Sequence, residues 1–245
     1  MMDASARDVP ALNRRFEDAS PETIIGWAWR TFGPEIAATS SFQTQSVPLL
    51  HLIARVAPEM PVFFLDTGFH FPETLAFRDR LRERFGLNVV TLTPEDGHEA
   101  FRRRHGDLYR RDPDLCCFIN KVEPLERAMK GMRAWISGIR RDQTLHRAAT
   151  PVVSLGPEGR VKVCPLAGWT RRDVWRYLHD HGLPEHPLLA KGYLSIGCAP
   201  CTQPVADGAD ERAGRWAGRA KTECGLHLTE KRPVKTTSGG AKDGV

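Results

Sequence analysis

Short apolar runs alternate with amphipathic stretches along the first part of the chain. Residues 61–65 (PVFFL) form a continuous apolar run, as in a strand that is buried on both faces. Helices are predicted between such runs from apolar positions at helical spacing, at residues 21–32, 46–56 and 72–85. Further strands are predicted at residues 35–41, 88–92 and 133–136. The alternation predicts an α/β fold with a doubly wound, mostly parallel sheet.

Polar segments follow three of the predicted strands: Thr39–Ser41, Asp66–Gly68 and Ser137–Gly138. Each of them could be a simple turn. Because the carboxyl ends of parallel strands lie at one edge of the sheet, where ligands bind in such folds, the three together predict a small-molecule site.

The pattern of apolar positions is lost after Cys201. Before that point, residues 152–155 and 161–163 predict a hairpin, and Thr170 with Asp173 predicts the start of another helix. Residues 205–245 are rich in Gly, Ala, Lys and Arg, with little apolar surface to bury. We therefore divide the chain into an α/β domain at residues 1–204 and a mobile C-terminal tail at residues 205–245.

Composition narrows the class of protein only moderately. The chain has 245 residues, of which 41% are hydrophobic, and a formal net charge of +5, which weakly favours an anionic ligand. No nucleic-acid-reading motif, membrane-length apolar stretch or secretory signal is present in the sequence. These observations predict a cytoplasmic protein that binds neither nucleic acid nor a membrane, and they leave open whether it forms a homo-oligomer.

Six cysteines in such a chain favour metal binding or redox chemistry over disulfides. Cys198 and Cys201 form a CxxC motif, which alone fits zinc, an iron–sulfur cluster or a redox pair. Cys116 and Cys117 are adjacent, whereas the ligands of one tetrahedral zinc are usually two to four residues apart. The adjacent pair therefore favours a polynuclear iron–sulfur cluster on all four cysteines over zinc. Four buried thiols without a metal are the remaining alternative.

The other two cysteines differ in their surroundings. Cys164 lies among apolar residues and is interpreted as a small buried hydrophobe. Cys224 lies in the predicted tail, and Lys221, His227 and several arginines are close to it in sequence. Nearby cations lower the pKa of a thiol, so Cys224 is predicted to be a nucleophile.

Several of these motifs occur together in one known family. Cys116-Cys117 followed by Lys121, the run GIRRDQ at 138–143, the CxxC at 198–201 and ECGLH at 223–227 resemble the assimilatory sulfonucleotide reductases. LDTG at 65–68 with FPET at 71–74 is similar to the family's second strand and the helix that follows it. The closest similarity is to the iron–sulfur type that reduces adenosine 5′-phosphosulfate (APS).

The resemblance implies an adenine-nucleotide alpha-hydrolase-like fold and a 4Fe–4S cluster on Cys116, Cys117, Cys198 and Cys201. It implies that Cys224 attacks the sulfur of APS and that thioredoxin then releases sulfite from the cysteine S-sulfonate. Our predicted substrate-binding residues are Ser40, Ser41, Asp66, Lys121, Gly138, Arg140, Arg141, Arg212, Arg215 and His227.

The sequence departs from the family pattern in the loop after the first strand. Relatives often carry Ser-x-Ser-Gly there, whereas residues 40–45 (SSFQTQ) contain no glycine. Two other substrates or activities stay open: 3′-phosphoadenosine 5′-phosphosulfate (PAPS), which some cluster-bearing members accept, and ATP-dependent tRNA sulfur transfer. The second would need a pyrophosphate loop of the form Ser-Gly-Gly-x-Asp-Ser, which residues 39–46 do not supply. A zinc-stabilised binding module without catalysis is a further alternative.

Overall fold

A computed structural model describes residues 8–156, 159–206, 208, 210–218 and 221. Its centre is a six-stranded sheet in the order β3-β2-β1-β4-β6-β5. All neighbouring strands are parallel except β5, which pairs with β6 as an antiparallel hairpin. The strands are β1 (Ile36–Thr39), β2 (Val62–Leu65), β3 (Val89–Leu92), β4 (Ala134–Ser137), β5 (Val153–Leu155) and β6 (Val161–Val163). The predicted α/β class, its mostly parallel sheet and its hairpin are confirmed.

Helices connect and cover these strands. They are α1 (Val9–Phe16), α2 (Pro21–Phe32), α3 (Val47–Val56), α4 (Pro72–Phe85), α5 (Gly97–His105), α6 (Leu108–Arg111), α7 (Pro113–Cys117), α8 (Glu123–Ala128) and α9 (Arg171–Asp180). None of the helices in the described residues is long and apolar enough to span a membrane.

Local sequence explains where several helices begin and end. The Ser20 hydroxyl accepts a hydrogen bond from the Thr23 amide at the start of α2. Thr170 and Asp173 cap each other's backbone at the start of α9, forming the predicted capping box. Helix α4 ends at Gly86, whose φ of 65° lies in the left-handed region that glycine adopts without strain.

One turn of π-helix, Phe118–Val122, joins α7 to α8. A π-turn inserts an extra residue into a helix and so rotates the side chains that follow it; such turns are frequent at functional sites. Here the turn lies directly after Cys116 and Cys117 and contains Asn120 and Lys121.

Strand order reverses between β1 and β4. From β1 the chain runs outward through β2 to β3, and it then returns to place β4 on the opposite side of β1. The crevice beyond the carboxyl ends of two such strands is where open α/β sheets bind ligands. Thr39 of β1 and Ser137 of β4 are paired in register at this end of the sheet.

Part of the predicted tail packs against the α/β domain. Trp216 is only 3% exposed, and its amide donates to the carbonyl of Cys201 at 3.1 Å. The amide of Gln203 donates to Gly214, and Thr202 forms a β-bridge with Arg215. Residues 210–218 therefore do bury apolar surface, contrary to our expectation for this stretch. Residues 207, 209, 219–220 and 222–245 of the predicted tail lie outside the described residues.

Candidate active site

A cavity of about 180 Å³ opens at the crevice between β1 and β4. Hydroxyl and amide side chains line it on the β1 side, and apolar side chains form part of its wall. It is lined by Thr39, Ser40, Ser41, Gln43, Gln45, Ser46, Leu49, Phe64, Leu65, His70, Thr74, Lys121, Ser137, Gly138, Ile139, Gln143, Arg147, Ser195, Ile196, Gly197, Glu211, Arg212, Arg215 and Trp216. We call it the nucleotide cavity.

The loop after β1 forms one wall without glycine. Phe42 has a φ of 52°, in the left-handed region that bulky residues rarely adopt. Its ring is fully buried and packs edge-on against Phe64 with the centroids 5.5 Å apart. The Ser40 hydroxyl accepts from the Phe42 amide at 3.0 Å. Packing and this hydrogen bond therefore hold Phe42 in a backbone conformation that glycine adopts without strain.

The loop after β4 forms the opposite wall with Ser137, Gly138 and Ile139. A Cβ at Gly138 would approach Leu49 Cδ2 to 3.3 Å, so a larger residue would press on the cavity wall. Gln143 and Arg147 follow in the same loop, and the Arg147 guanidinium donates to Gln143 Oε1 at 2.5 Å.

Two predicted substrate-binding arginines lie outside the nucleotide cavity. Arg140 is 1% exposed and donates to Asp142 Oδ1 at 2.9 Å and to Gln45 Oε1 at 2.6 Å. Arg141 forms an ion pair with Glu17 and donates to the Thr150 carbonyl. The structure therefore places both guanidinium groups on protein partners and not on the cavity wall.

Asp66 is also directed elsewhere. Its Oδ1 accepts from the amide of Gly68 at 2.9 Å and lies 3.6 Å from His98 Nε2. Asp66 shapes the turn after β2, and the cavity is lined there by Leu65 and His70 instead.

Four basic side chains line the cavity: Lys121, Arg147, Arg212 and Arg215. Arg215 lies over the Trp216 ring, with 4.4 Å between its Cζ and the ring centroid. Gly197 allows this arrangement, because a Cβ there would approach the Arg215 guanidinium to 2.3 Å. Planar guanidinium donors facing a crevice suit phosphate or sulfate oxygens.

A second, smaller cavity adjoins the first, and all four predicted metal-binding cysteines line it. Cys116 and Cys117 come from the end of α7, and Cys198 and Cys201 flank a 3₁₀ turn. We call it the cysteine cavity. The five described cysteines are thiols without disulfide bonds.

Polar side chains approach two of the sulfurs. Thr67 Oγ1 lies 3.2 Å from Cys198 Sγ, and Asn120 Nδ2 lies 3.7 Å from Cys116 Sγ. Burial, followed by the nearby Cys198 and Cys201, raises the pKa of Cys116 to about 12. Among the described residues, no three His, Cys, Asp or Glu side chains are arranged around a single ion.

Lys121 and Trp216 form the wall that the two cavities share. Trp216 has a φ of 51° and is buried, so surrounding contacts hold it in a conformation that is unfavourable for a large residue. Arg212, Arg215 and Lys221 each place a cationic group within 6 Å of its ring. The positively charged Lys121 thus lies in the wall between the four thiols and the nucleotide cavity.

The predicted nucleophile and one predicted substrate contact, Cys224 and His227, lie outside the described residues. The nearest described residue is Lys221, whose side chain is 5% exposed and forms an ion pair with Asp114 at the start of α7.

Six of the ten predicted substrate-binding residues thus line one cavity: Ser40, Ser41, Lys121, Gly138, Arg212 and Arg215. Our sequence analysis missed Gln45, Gln143, Arg147, Glu211 and Trp216. Arg147 could have been suspected from its place in the same loop as GIRRDQ. Trp216 could have been suspected as an aromatic residue within a basic, otherwise apolar-poor segment.

The sheet order and the cavity at its switch point define a nucleotide-binding α/β protein of the nucleotide alpha-hydrolase-like type. The structure of FMN adenylyltransferase from Candida glabrata shares this fold at 16% identity and a TM-score of 0.57, covering 81% of this chain and 68% of that one. At such identity the likeness concerns the fold alone.

Closer similarities define the family. Residues 35–204 match the phosphoadenosine phosphosulfate reductase domain, and the chain belongs to that family. It is 49% identical over 216 residues to the adenosine 5′-phosphosulfate reductase of Streptomyces coelicolor, covering 87% of this chain and 91% of the relative. It is 48% identical to the phosphoadenosine 5′-phosphosulfate reductase of Gloeobacter violaceus, with coverages of 88% and 92%. A crystal structure of PAPS reductase from Candida auris, in a phosphate complex, superposes with a TM-score of 0.71 at 31% identity, covering 78% and 94%.

Proposed function

We propose that the protein reduces APS to sulfite and AMP in sulfate assimilation, with a thioredoxin-type protein as the reductant. The observation that carries this proposal is the shared wall: a cationic nucleotide cavity adjoins a cavity lined by four cysteines, and Lys121 belongs to both. Family membership and the names of the relatives support the same reaction.

The nucleotide cavity suits the two parts of such a substrate. Leu49, Phe64 and Ile139 offer apolar surface for a flat base. Lys121, Arg147, Arg212 and Arg215 offer charged donors for the phosphosulfate oxygens. Hydroxyls of Ser40 and Ser41 add neutral donors at the sheet edge.

The four cysteines would hold a 4Fe–4S cluster. Such clusters are held by four cysteine thiolates, and all four cysteines line one cavity. The adjacency of Cys116 and Cys117 favours a cluster over a single zinc, whose ligands are usually two to four residues apart. When bound, the cluster would supply structural support and an electrostatic influence on the substrate beyond Lys121.

The ion pair between Lys221 and Asp114 supports a role for Cys224. Cys224 follows Lys221 by only three residues in the sequence. Lys221 contacts Asp114 at the start of α7 and lies over the Trp216 ring, so the residue that anchors this part of the chain beside the shared wall comes just before Cys224. His227 keeps its proposed role as a substrate contact.

The chemistry proceeds by three successive displacements at sulfur. The Cys224 thiolate attacks the sulfate sulfur of APS; the S–O bond to the phosphate breaks, and AMP leaves with that electron pair. A thiolate of the reductant then attacks Cys224 Sγ, so sulfite leaves and a mixed disulfide forms. The second thiol of the reductant resolves this disulfide, which restores Cys224 and leaves the reductant oxidised. Lys121 and the arginines stabilise charge on the transferring group.

APS is proposed over PAPS because both cysteine pairs are present. PAPS is the second candidate, and the Gloeobacter violaceus relative, which is named as a PAPS reductase, favours it. ATP-dependent sulfur transfer is disfavoured by the loop after β1, which lacks a glycine-rich pyrophosphate site.

An anaerobic sulfite-release assay with thioredoxin, comparing APS with PAPS, tests the proposal. We expect faster release from APS and no release by Cys224→Ser. Cys164→Ala is the matched control, because Cys164 is buried and lines neither cavity. Sulfite release by Cys224→Ser would contradict the mechanism, and faster release from PAPS would contradict the substrate.

A further inference from the structure

Five polar residues form a closed ring beside the nucleotide cavity. Arg140 donates to Gln45 Oε1 at 2.6 Å, and Gln45 Nε2 donates to Glu211 Oε2 at 2.6 Å. Arg171 Nε lies 2.7 Å from Glu211 Oε1. Asp142 closes the ring by accepting from Arg171 N at 2.5 Å and from Arg140 Nε at 2.9 Å.

The ring explains why a carboxylate lines a cavity for an anion. Both oxygens of Glu211 are engaged, one by Arg171 and the other by Gln45. The ring contains two guanidinium groups and two carboxylates, so its formal charge is zero. Glu211 therefore adds little net negative charge to the cavity.

The ring also connects three separate walls of the cavity. Gln45 belongs to the loop after β1, Arg140 and Asp142 to the loop after β4, and Glu211 to the C-terminal segment. Arg140 is 1% exposed, so the ring is anchored in the protein interior.

Glu211 lies directly before Arg212 and four residues before Arg215, both of which line the cavity. The far side of this segment is fixed by close backbone contact, since a Cβ at Gly214 would approach the Gln203 carbonyl to 2.1 Å. The amide of Arg215 donates to the Arg212 carbonyl at 2.8 Å, so the two arginines share one tight turn. Glu211 is the side chain that ties the near side of this turn to the sheet.

We propose that Glu211 is a positioning residue that, through Arg171 and Gln45, sets Arg212 and Arg215 at the nucleotide cavity. The proposal rests on the proposed function only in taking an adenine nucleotide as the ligand. Opening the ring keeps both arginines and their contacts with Trp216, but it removes the anchor that Glu211 supplies to their turn, so it weakens nucleotide binding.

The experiment compares Glu211→Ala, Glu211→Gln, Arg171→Ala and the Glu211→Ala/Arg171→Ala double variant. AMP affinity is measured by calorimetry, and KM and kcat for APS are measured in parallel. We expect AMP affinity to fall and KM to rise about tenfold in Glu211→Ala, with a smaller change in kcat. Glu211→Gln retains an acceptor for Gln45 and should lose less. The double variant should be no worse than either single one, because one change already opens the ring.

Glu99→Gln is the matched control, since it breaks an exposed ion pair with Arg103 away from both cavities, and it should leave AMP affinity unchanged. Iron content and melting temperature of the Glu211 variants should equal those of the wild type. Three outcomes would overturn the proposal. The first is unchanged AMP affinity in Glu211→Ala, and the second is a strictly additive loss of affinity in the double variant. The third is a loss of AMP affinity that is matched by a fall in melting temperature. AMP binding does not depend on turnover, so failure of the proposed reaction would be seen separately, as wild-type protein that binds AMP but releases no sulfite.

Discussion

The two cavities are built in different ways although they share Lys121 and Trp216. Two short motifs supply all four thiols of the cysteine cavity, one at the end of α7 and one at the 3₁₀ turn of residues 199–201. The nucleotide cavity takes its side chains from the loops after β1, β2 and β4, from the π-turn and from the C-terminal segment. Its charged groups are far apart in sequence and meet only when the sheet forms.

Because of this difference, the two cavities should respond differently to the loss of one side chain. Removing a single thiol should abolish the proposed cluster, because such a cluster needs all its ligands together. Removing one donor from the nucleotide cavity should weaken ligand binding only in part, because several groups share the ligand's charge. The predictions below sharpen this contrast, from the largest expected effect to the smallest.

Cys198→Ser should abolish the proposed cluster and lower the rate of sulfite release by at least about 10³-fold. The measurement is iron content together with visible absorbance in anaerobically purified protein. Cys164→Ala, outside both cavities, should keep its iron. A colourless wild-type protein containing zinc would contradict the cluster.

Lys121→Met should lower kcat/KM by about 10²–10³-fold, because it removes the charge that faces both cavities. Iron content should stay at the wild-type level, and Lys121→Arg should recover part of the rate. Loss of iron in Lys121→Met would contradict this prediction, because it would mean that Lys121 is needed to hold the proposed cluster.

Arg215→Ala should raise KM for APS by about 10–100-fold, the expected loss for a hydrogen bond to a charged group. Arg215→Lys keeps the charge but loses the planar pair of donors, so an intermediate KM is expected. Equal KM values for the alanine variant and the wild type would remove Arg215 from the binding site.

A glycine variant is usually less stable than an alanine variant at the same position, but at Phe42 we expect this order of stability to reverse. Alanine costs about 1–2 kcal/mol in the left-handed region, and glycine avoids this cost. We therefore expect Phe42→Gly to be at least as stable as Phe42→Ala in urea unfolding. At Phe77, buried inside α4, the glycine variant should instead be less stable by about 1 kcal/mol. A Phe42 pair that follows the Phe77 order would refute the left-handed loop.

Arg141→Gln should have the smallest effect. Its guanidinium pairs with the half-exposed Glu17 at the surface, and such pairs contribute about 1 kcal/mol or less to stability. KM for APS should stay at the wild-type value, whereas Arg147→Gln, on the cavity wall, should raise it. A raised KM in Arg141→Gln would restore the role that the sequence motif suggested.

Local sequence predicted all six strands and four of the nine helices in the described residues, whereas α1 and α5 to α8 were not predicted. The apolar run at 61–65 gave β2, and the capping residues Ser20 and Thr170 marked true helix starts. These features depend on near neighbours in the chain, and that is why they can be predicted. The left-handed Phe42 could not be predicted, because its conformation depends on packing against Phe64.

The same limit applies to the site. Motif similarity selected Arg140 and Arg141, but the motif does not say where a long side chain points. Arg140 is enclosed by Asp142 and Gln45, whereas Arg147, seven residues later, reaches the cavity. Residues 210–218 also packed more closely than their composition indicated, because Gly214 and Trp216 fit the surface around Cys201.

The sequence by itself determined the class of fold, the four candidate cysteine ligands and the polar segments at the sheet edge, since each is a pattern of neighbouring residues. Only the tertiary structure decided which arginines line the nucleotide cavity and that Lys121 and Trp216 divide two cavities. It also showed that Glu211 closes a ring with residues as distant as Gln45. Such arrangements depend on side-chain direction and on contacts across long sequence separations, which the packing of the folded chain alone specifies.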